Sequence, residues 1–179
     1  MRRRTLILAG LVAVGILVVV EATPIVPLLR YASAPAAAVV PVAGLRLAAI
    51  DDTWGARRSG GRRHEGADLF APRHTPVVAV TDGEILRVGA NPLGGNTIWL
   101  VGGGATLFYY AHLERPADGL HGGQRVRRGE VLGYVGTSGN AAHTSPHLHF
   151  GAYPLGQRFR PVNPVPLLRD WRATTVPAR

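Results

Sequence analysis

The sequence predicts an all-β sandwich or barrel, and three observations carry that expectation. Short apolar runs of strand length recur from Pro76 onward. Stretches rich in glycine and other turn formers separate them. After residue 42 no stretch of ordinary helical length is amphipathic. Short strands at this spacing, punctuated by turns, are the pattern of small antiparallel β domains.

Residues 76–80, 84–88, 97–101, 106–112, 131–135 and 147–153 read as strands, and 81–83, 92–96, 102–104, 122–123 and 136–140 as the turns between them. Residues 161–166 read as a loop, 165–171 as one helical turn, and the last residues as frayed. No internal repeat is present.

The chain begins differently. Arg2, Arg3 and Arg4 precede an uninterrupted apolar run over residues 6–20, which Glu21 ends. As a helix, those 15 residues would be roughly 22 Å long, short of the ~30 Å hydrocarbon core of a bilayer and close to the upper length of a signal-peptide apolar region. Cleavage after Ala22 fits a small-residue site; an uncleaved anchor is the alternative. Either way the arginines stay cytoplasmic and the remainder is expected outside, in the periplasm or cell envelope. Residues 23–43 are rich in Ala and Pro and read as a stiff spacer. The expected organisation is an export segment over 1–22, a spacer over 23–43, one domain over 44–170 and a tail over 171–179.

Composition narrows the function. The 179 residues carry a net charge of +9, and every one of the 20 basic residues is Arg. Without Lys there is no attachment point for lipoyl or biotinyl groups, which excludes a carrier domain. Without Cys there is no disulfide framework, thiolate metal site or cysteine nucleophile. The arginines are scattered apart from the cluster Arg57, Arg58, Arg62 and Arg63, and few aromatics interleave with it, so no nucleic-acid partner is expected.

The histidines carry the chemistry. Most of the seven fall into three patterns: His64-Glu65-Gly66-Ala67-Asp68, Tyr110-Ala111-His112-Leu113, and Pro146-His147-Leu148-His149-Phe150. Side chains at i and i+2 of a strand share a face, so His147 and His149 project together, away from Leu148 and Phe150. A catalytic zinc site wants three protein ligands and one open position, and two His with one Asp supply them. Asp68 is preferred to Glu65 because Gly66 permits a turn that brings residues 64 and 68 together. His112 is expected at a strand end, on the face of Tyr110. His74 and His121 read as surface residues; His143, in a loop, is a weak candidate to line a cleft.

In this order the three patterns, together with Gly136-Thr137-Ser138-Gly139-Asn140, resemble the lysostaphin or LytM-type zinc endopeptidases over residues 51–168. The resemblance implies a small, antiparallel, partly open β-barrel or sandwich that hydrolyses peptide bonds of peptidoglycan stems or cross-bridges. It implies Zn2+ held by His64, Asp68 and His149, with His112 and His147 as catalytic non-ligands. Gly151 stands where many relatives have Glu. A non-catalytic regulator of another wall hydrolase has the same fold but lacks ligands, whereas all five positions are filled here. A wall-binding module would not need them.

Overall fold

The computed structural model describes residues 25–178. The apolar run of residues 6–20 and its cleavage site lie outside the described residues. Eight strands form one antiparallel sheet: β1 (Ala67–Phe70), β2 (Pro76–Val78), β3 (Gly83–Asn91), β4 (Gly95–Gly102), β5 (Thr106–Pro116), β6 (Arg125–Val126), β7 (Val131–Val135) and β8 (His147–Pro154). Among the described residues two short α-helices flank it, α1 (Ile25–Arg30) and α2 (Pro164–Asp170). The order across the sheet is β1-β8-β5-β4-β3-β6, and β7 joins β5 to β2. This is the mostly antiparallel β architecture expected, and every predicted strand is present within a few residues.

Two strands escaped the sequence. β1 is four residues long and carries the buried Asp68, so it lacks a clean apolar alternation. β6 is a two-residue edge strand, too short to show a period.

The core forms by alternation. Phe108, Tyr110, Leu148 and Phe150 are fully buried on one face of β5 and β8, with Leu100, Ile98, Leu132 and Val135 from neighbouring strands. The Phe108 and Phe150 rings stack at 5.7 Å, and Tyr110 meets Phe150 edge-on at 5.3 Å. Such ring pairs add to the effect of buried area alone. The Tyr110 hydroxyl accepts from the Val80 backbone N–H at 3.1 Å, which satisfies its polar end inside the core.

The Ala/Pro-rich stretch is not a spacer throughout. Ile25–Arg30 is helical, with Pro27 in the first turn, where a missing N–H costs nothing. Ala38, Val40 and Val42 are buried in the main core. Val39 N–H donates to Val80 O and Val78 N–H to Pro41 O, both at 3.0 Å. The end of the chain covers the other side of this stretch: Val40 N–H donates to Thr174 O at 2.9 Å, and Gly44 N–H to Val176 O at 2.7 Å. The expected frayed tail is thus a strap up to that point. α2 covers seven residues, one residue earlier than the turn expected over 165–171 and overlapping the expected loop. It starts where the Asn163 side chain accepts from Val165 N–H at 3.0 Å.

Val40 tests this boundary. Val40→Ala removes two fully buried methyl groups and is expected to cost about 2 kcal/mol, lowering the thermal midpoint by about 4–8 °C. An unchanged midpoint in thermal unfolding followed by circular dichroism would restore the spacer reading.

Candidate metal centre

The antiparallel register of β1 and β8 places Asp68 directly opposite His149. Residues so paired bring their side chains together on one face. His64 lies just before β1, where His64 N–H donates to Ala56 O and His64 O accepts from Gly55 N–H, both at 2.9 Å. Three donor atoms meet: His64 Nε2 is 3.0 Å from Asp68 Oδ1, His149 Nδ1 is 3.2 Å from the same oxygen, and the two ring nitrogens are 2.9 Å apart.

Gly66 makes this approach possible, by a route other than the expected one. It is not among the glycines with left-handed φ. A Cβ there would stand 2.6 Å from His149 Cε1 and 2.7 Å from Phe150 O. The constraint is the closeness of β8, not the turn.

The tautomers follow from the hydrogen bonds. His64 Nδ1 faces Thr53 O at 2.8 Å, His112 Nδ1 faces Ser138 O at 2.9 Å, and His147 Nδ1 faces Ser145 O at 2.8 Å. A carbonyl can only accept, so each Nδ1 carries a proton, and in the neutral ring Nε2 is the atom with the lone pair. His64 Nε2 faces His149 Nδ1 and the Asp68 carboxylate, offering a proton when it bonds the carboxylate and its lone pair when it binds a cation.

Such a donor set suits a cation. Tetrahedral coordination at ~2.0 Å needs donors about 3.3 Å apart, close to the spacing present. Burial works to raise the Asp68 pKa, but hydrogen bonds from His149 and His64 prevail and hold it well below the usual carboxylate range. Asp68 is therefore an acceptor-only anion. Its other oxygen is held by the Arg58 guanidinium. Burial also depresses His149 below the usual imidazole value, which favours the neutral, ligating form.

His147 and His149 share the cleft face of β8, as alternation requires, while Leu148 and Phe150 are fully buried behind them. His147 Nε2 is 3.8 Å from Asp68 Oδ1. His112 reaches the same cleft by a route the sequence conceals. β5 pairs with β8 up to Ala111 and with β7 from Leu113. At the change of partner His112 adopts a left-handed φ of 62°. Alternation is broken there, so His112 parts from the core-facing Tyr110 and lines the cleft with Tyr109 and Ala111. Its N–H donates to Gly94 O at 2.7 Å. Its ring centroid lies 5.0 Å from that of His147. Burial lowers the His112 pKa to about 4, so the ring is neutral near pH 7. A strained backbone at such a residue is typical of functional sites.

Of the weaker candidates, His74 and His121 are exposed and stand apart from the cleft. His143 is not in the lining, although its neighbour Thr144 is. Sequence reasoning missed Arg58, Asn91, Tyr109 and Tyr153, all of which line the cleft. Tyr109 was reachable, because it alternates with the buried Phe108 and Tyr110. Its hydroxyl accepts from Asn91 Nδ2 at 3.1 Å. Burial and then the charge of Glu65 push the Tyr153 phenol up to about 12. Gly151 sits under this ring; a Cβ there would come within 3.0 Å of Tyr153 Cε2.

Fold and site together define a small antiparallel β domain with two imidazoles and a carboxylate around one point and two more histidines beside it. The family follows from the sequence match: residues 62–164 fit the pattern of peptidase family M23, and the chain belongs to that family. It is similar to the L-Ala–D-Glu endopeptidase of Bacillus subtilis (strain 168), at 42% identity over 66% of this chain and 39% of that protein. It is also similar to the glycyl-glycine endopeptidase ALE-1 of Staphylococcus capitis, at 40% identity over 50% of this chain and 24% of that one. Among solved structures, the catalytic domain of lysostaphin from Staphylococcus simulans matches with a TM-score of 0.59 and 30% identity, covering 69% of this chain and 95% of the domain. The chain thus spans well under half the length of these two relatives.

Gly66→Ala tests the geometry. The added methyl meets both backbone and a donor ring, so about 1–3 kcal/mol of stability should be lost, and divalent-metal affinity should fall. A titration showing unchanged metal affinity would mean that β8 does not hold His149 in place.

Proposed function

We propose that the chain is an exported zinc endopeptidase that hydrolyses peptide bonds of bacterial peptidoglycan, in stems or cross-bridges. The observation that carries this reading is the convergence of His64, Asp68 and His149 in an open cleft, with the Nε2 atoms of His112 and His147 free beside them. Membership of the family and the activities for which its relatives are named support it.

His64 Nε2, His149 Nδ1 and Asp68 Oδ1 would hold the zinc. Zinc in a site of this kind supplies a water of lowered pKa and Lewis-acid polarisation of the scissile carbonyl. The chain's own groups handle the protons. His147 Nε2, near Asp68, accepts the proton of the attacking water. His112 Nε2, bare in the neutral ring, acts after it has taken up a proton from the attacking water by way of His147 or solvent: it then donates to the tetrahedral adduct or passes that proton to the leaving amine. The two histidines can exchange these roles. Carbonyl acceptors on their Nδ1 atoms keep both rings oriented, with Nε2 as the atom left for proton transfer.

Metal binding and catalysis separate within one motif. His64→Ala, Asp68→Ala and His149→Ala are expected to lose most of a stoichiometric zinc in elemental analysis. His147→Ala and His112→Ala should keep the metal while turnover of purified sacculi falls by ~10²–10⁴-fold. If His147→Ala drops the metal and His149→Ala keeps it, ligand and base are exchanged. If the His112 and His147 variants still cleave sacculi, these are not the working histidines; if the native zinc-loaded chain cleaves nothing, a regulator or wall-binding role takes precedence.

Export is the second part. The arginine start and the apolar run support a location in the periplasm or cell envelope, either released or held at the membrane. A reporter active only outside the cytoplasm, fused after residue 178, should give signal. A mature N-terminus at Thr23 would indicate cleavage, and a cytoplasmic reporter pattern would remove export from the reading.

A further inference from the structure

The arginine cluster Arg57, Arg58, Arg62 and Arg63 has a place in the fold that the peptidase reading does not use. These residues lie on a hairpin leading into His64. Its arms are joined by an antiparallel bridge between Arg57 and Arg63 and by Arg58 N–H donating to Arg62 O at 2.9 Å. Gly60 and Gly61, both with left-handed φ, turn its tip. The hairpin forms one wall of the metal cleft, which measures about 560 Å³, and Arg58, Arg62 and Arg63 line it.

The three guanidiniums are not equivalent. Arg58 is neutralised by Asp68. Arg62 donates from Nε to Ser59 O at 3.2 Å, and Arg63 from Nη1 to Gly55 O at 3.2 Å. Those partners are neutral carbonyls of the same hairpin. They steady the guanidiniums without cancelling their charge. Among the ion pairs of the described residues, neither Arg62 nor Arg63 has an acidic partner. The acidic side chains on the lining are Asp68, engaged by Arg58 and the histidines, and the exposed Glu65. Two steadied cations with unused donors therefore face the cleft against one free carboxylate. A guanidinium presents its donors as a planar fork that matches a carboxylate.

We propose that Arg62 and Arg63 form a carboxylate subsite, so that the cleft takes an acidic peptide with a free carboxylate beside the bond to be cut. The proposal rests on the peptidase reading above and narrows it. A peptidoglycan stem with free carboxylates fits the subsite; an uncharged glycine bridge leaves it empty. Because both guanidiniums are exposed, water and salt weaken the interaction, and its contribution depends on ionic strength.

The test uses the zinc-loaded full chain and two stem peptides that differ at one position, a free carboxylate in one and a carboxamide in the other. At low salt the carboxylate form is expected to be cleaved with about tenfold higher kcat/KM, the difference lying in KM, the size of one charge-assisted hydrogen bond. The ratio should shrink as salt rises. In the double variant Arg62→Gln, Arg63→Gln it should fall towards one. Equal handling of the two peptides by the native chain overturns the subsite, as does a ratio that survives in the double variant. Calorimetric binding of the same peptides separates this inference from the activity on which it rests. If neither peptide is cut but the carboxylate form still binds about tenfold tighter, the subsite stands and the peptidase reading fails. If both bind equally, the subsite is overturned.

Discussion

The pairing of Asp68 with His149 across β1 and β8 is the contact on which the candidate site depends. Antiparallel register is all-or-none: a slip of one residue would turn every side chain of β8 to the opposite face, sending Leu148 and Phe150 to solvent and the histidines into the core. Burial of Leu148 and Phe150 against Phe108 and Tyr110 therefore holds the donor atoms in place. The apolar half of each strand fixes the register, and the register aligns the polar half. No separate scaffold is needed for the three candidate donors, because the core supplies it.

His112 shows the limit of that logic. The change of partner at His112, from β8 to β7, breaks the two-residue period at the point where it would have turned the imidazole into the apolar core beside Tyr110. The loops around Gly94 and Ser138 close over the break: Gly94 O accepts the His112 N–H, Ser138 O accepts from the ring, and the Ser138 hydroxyl receives Asn96 N–H while donating to Leu113 O. The strained residue is thus anchored from both sides, as a non-glycine residue with positive φ requires.

Legibility in the sequence followed from how local each cause was. The H-x-H pair was readable because alternation within one strand depends on neighbours in the chain alone. His64 and Asp68 were readable as candidates from residue type and spacing, but the reason for Gly66 was not, since it lies in a strand more than 80 residues away. The orientation of His112 was hidden for the same reason: it arises from a partner change between strands. Residues 38–43 misled for a compositional reason. Alanine, valine and proline suit an extended linker, yet the same small apolar residues fit a strand-like stretch packed between β2 and the C-terminal strap.

That last stretch bears on mechanics. Residues 39–43 run antiparallel to β2 on one side and beside residues 174–176 on the other, with Val39 bridged in parallel to Thr174. A pull on the chain from the N-terminal side meets the domain through this stretch before it reaches β1. Its hydrogen bonds lie across the line of tension, so they share the load in shear and do not open one by one. His64, β1 and β8, which carry the donor atoms, lie beyond this clamp. A load from that side is therefore borne by residues 39–43 and 174–176, and the cleft does not lie on its path.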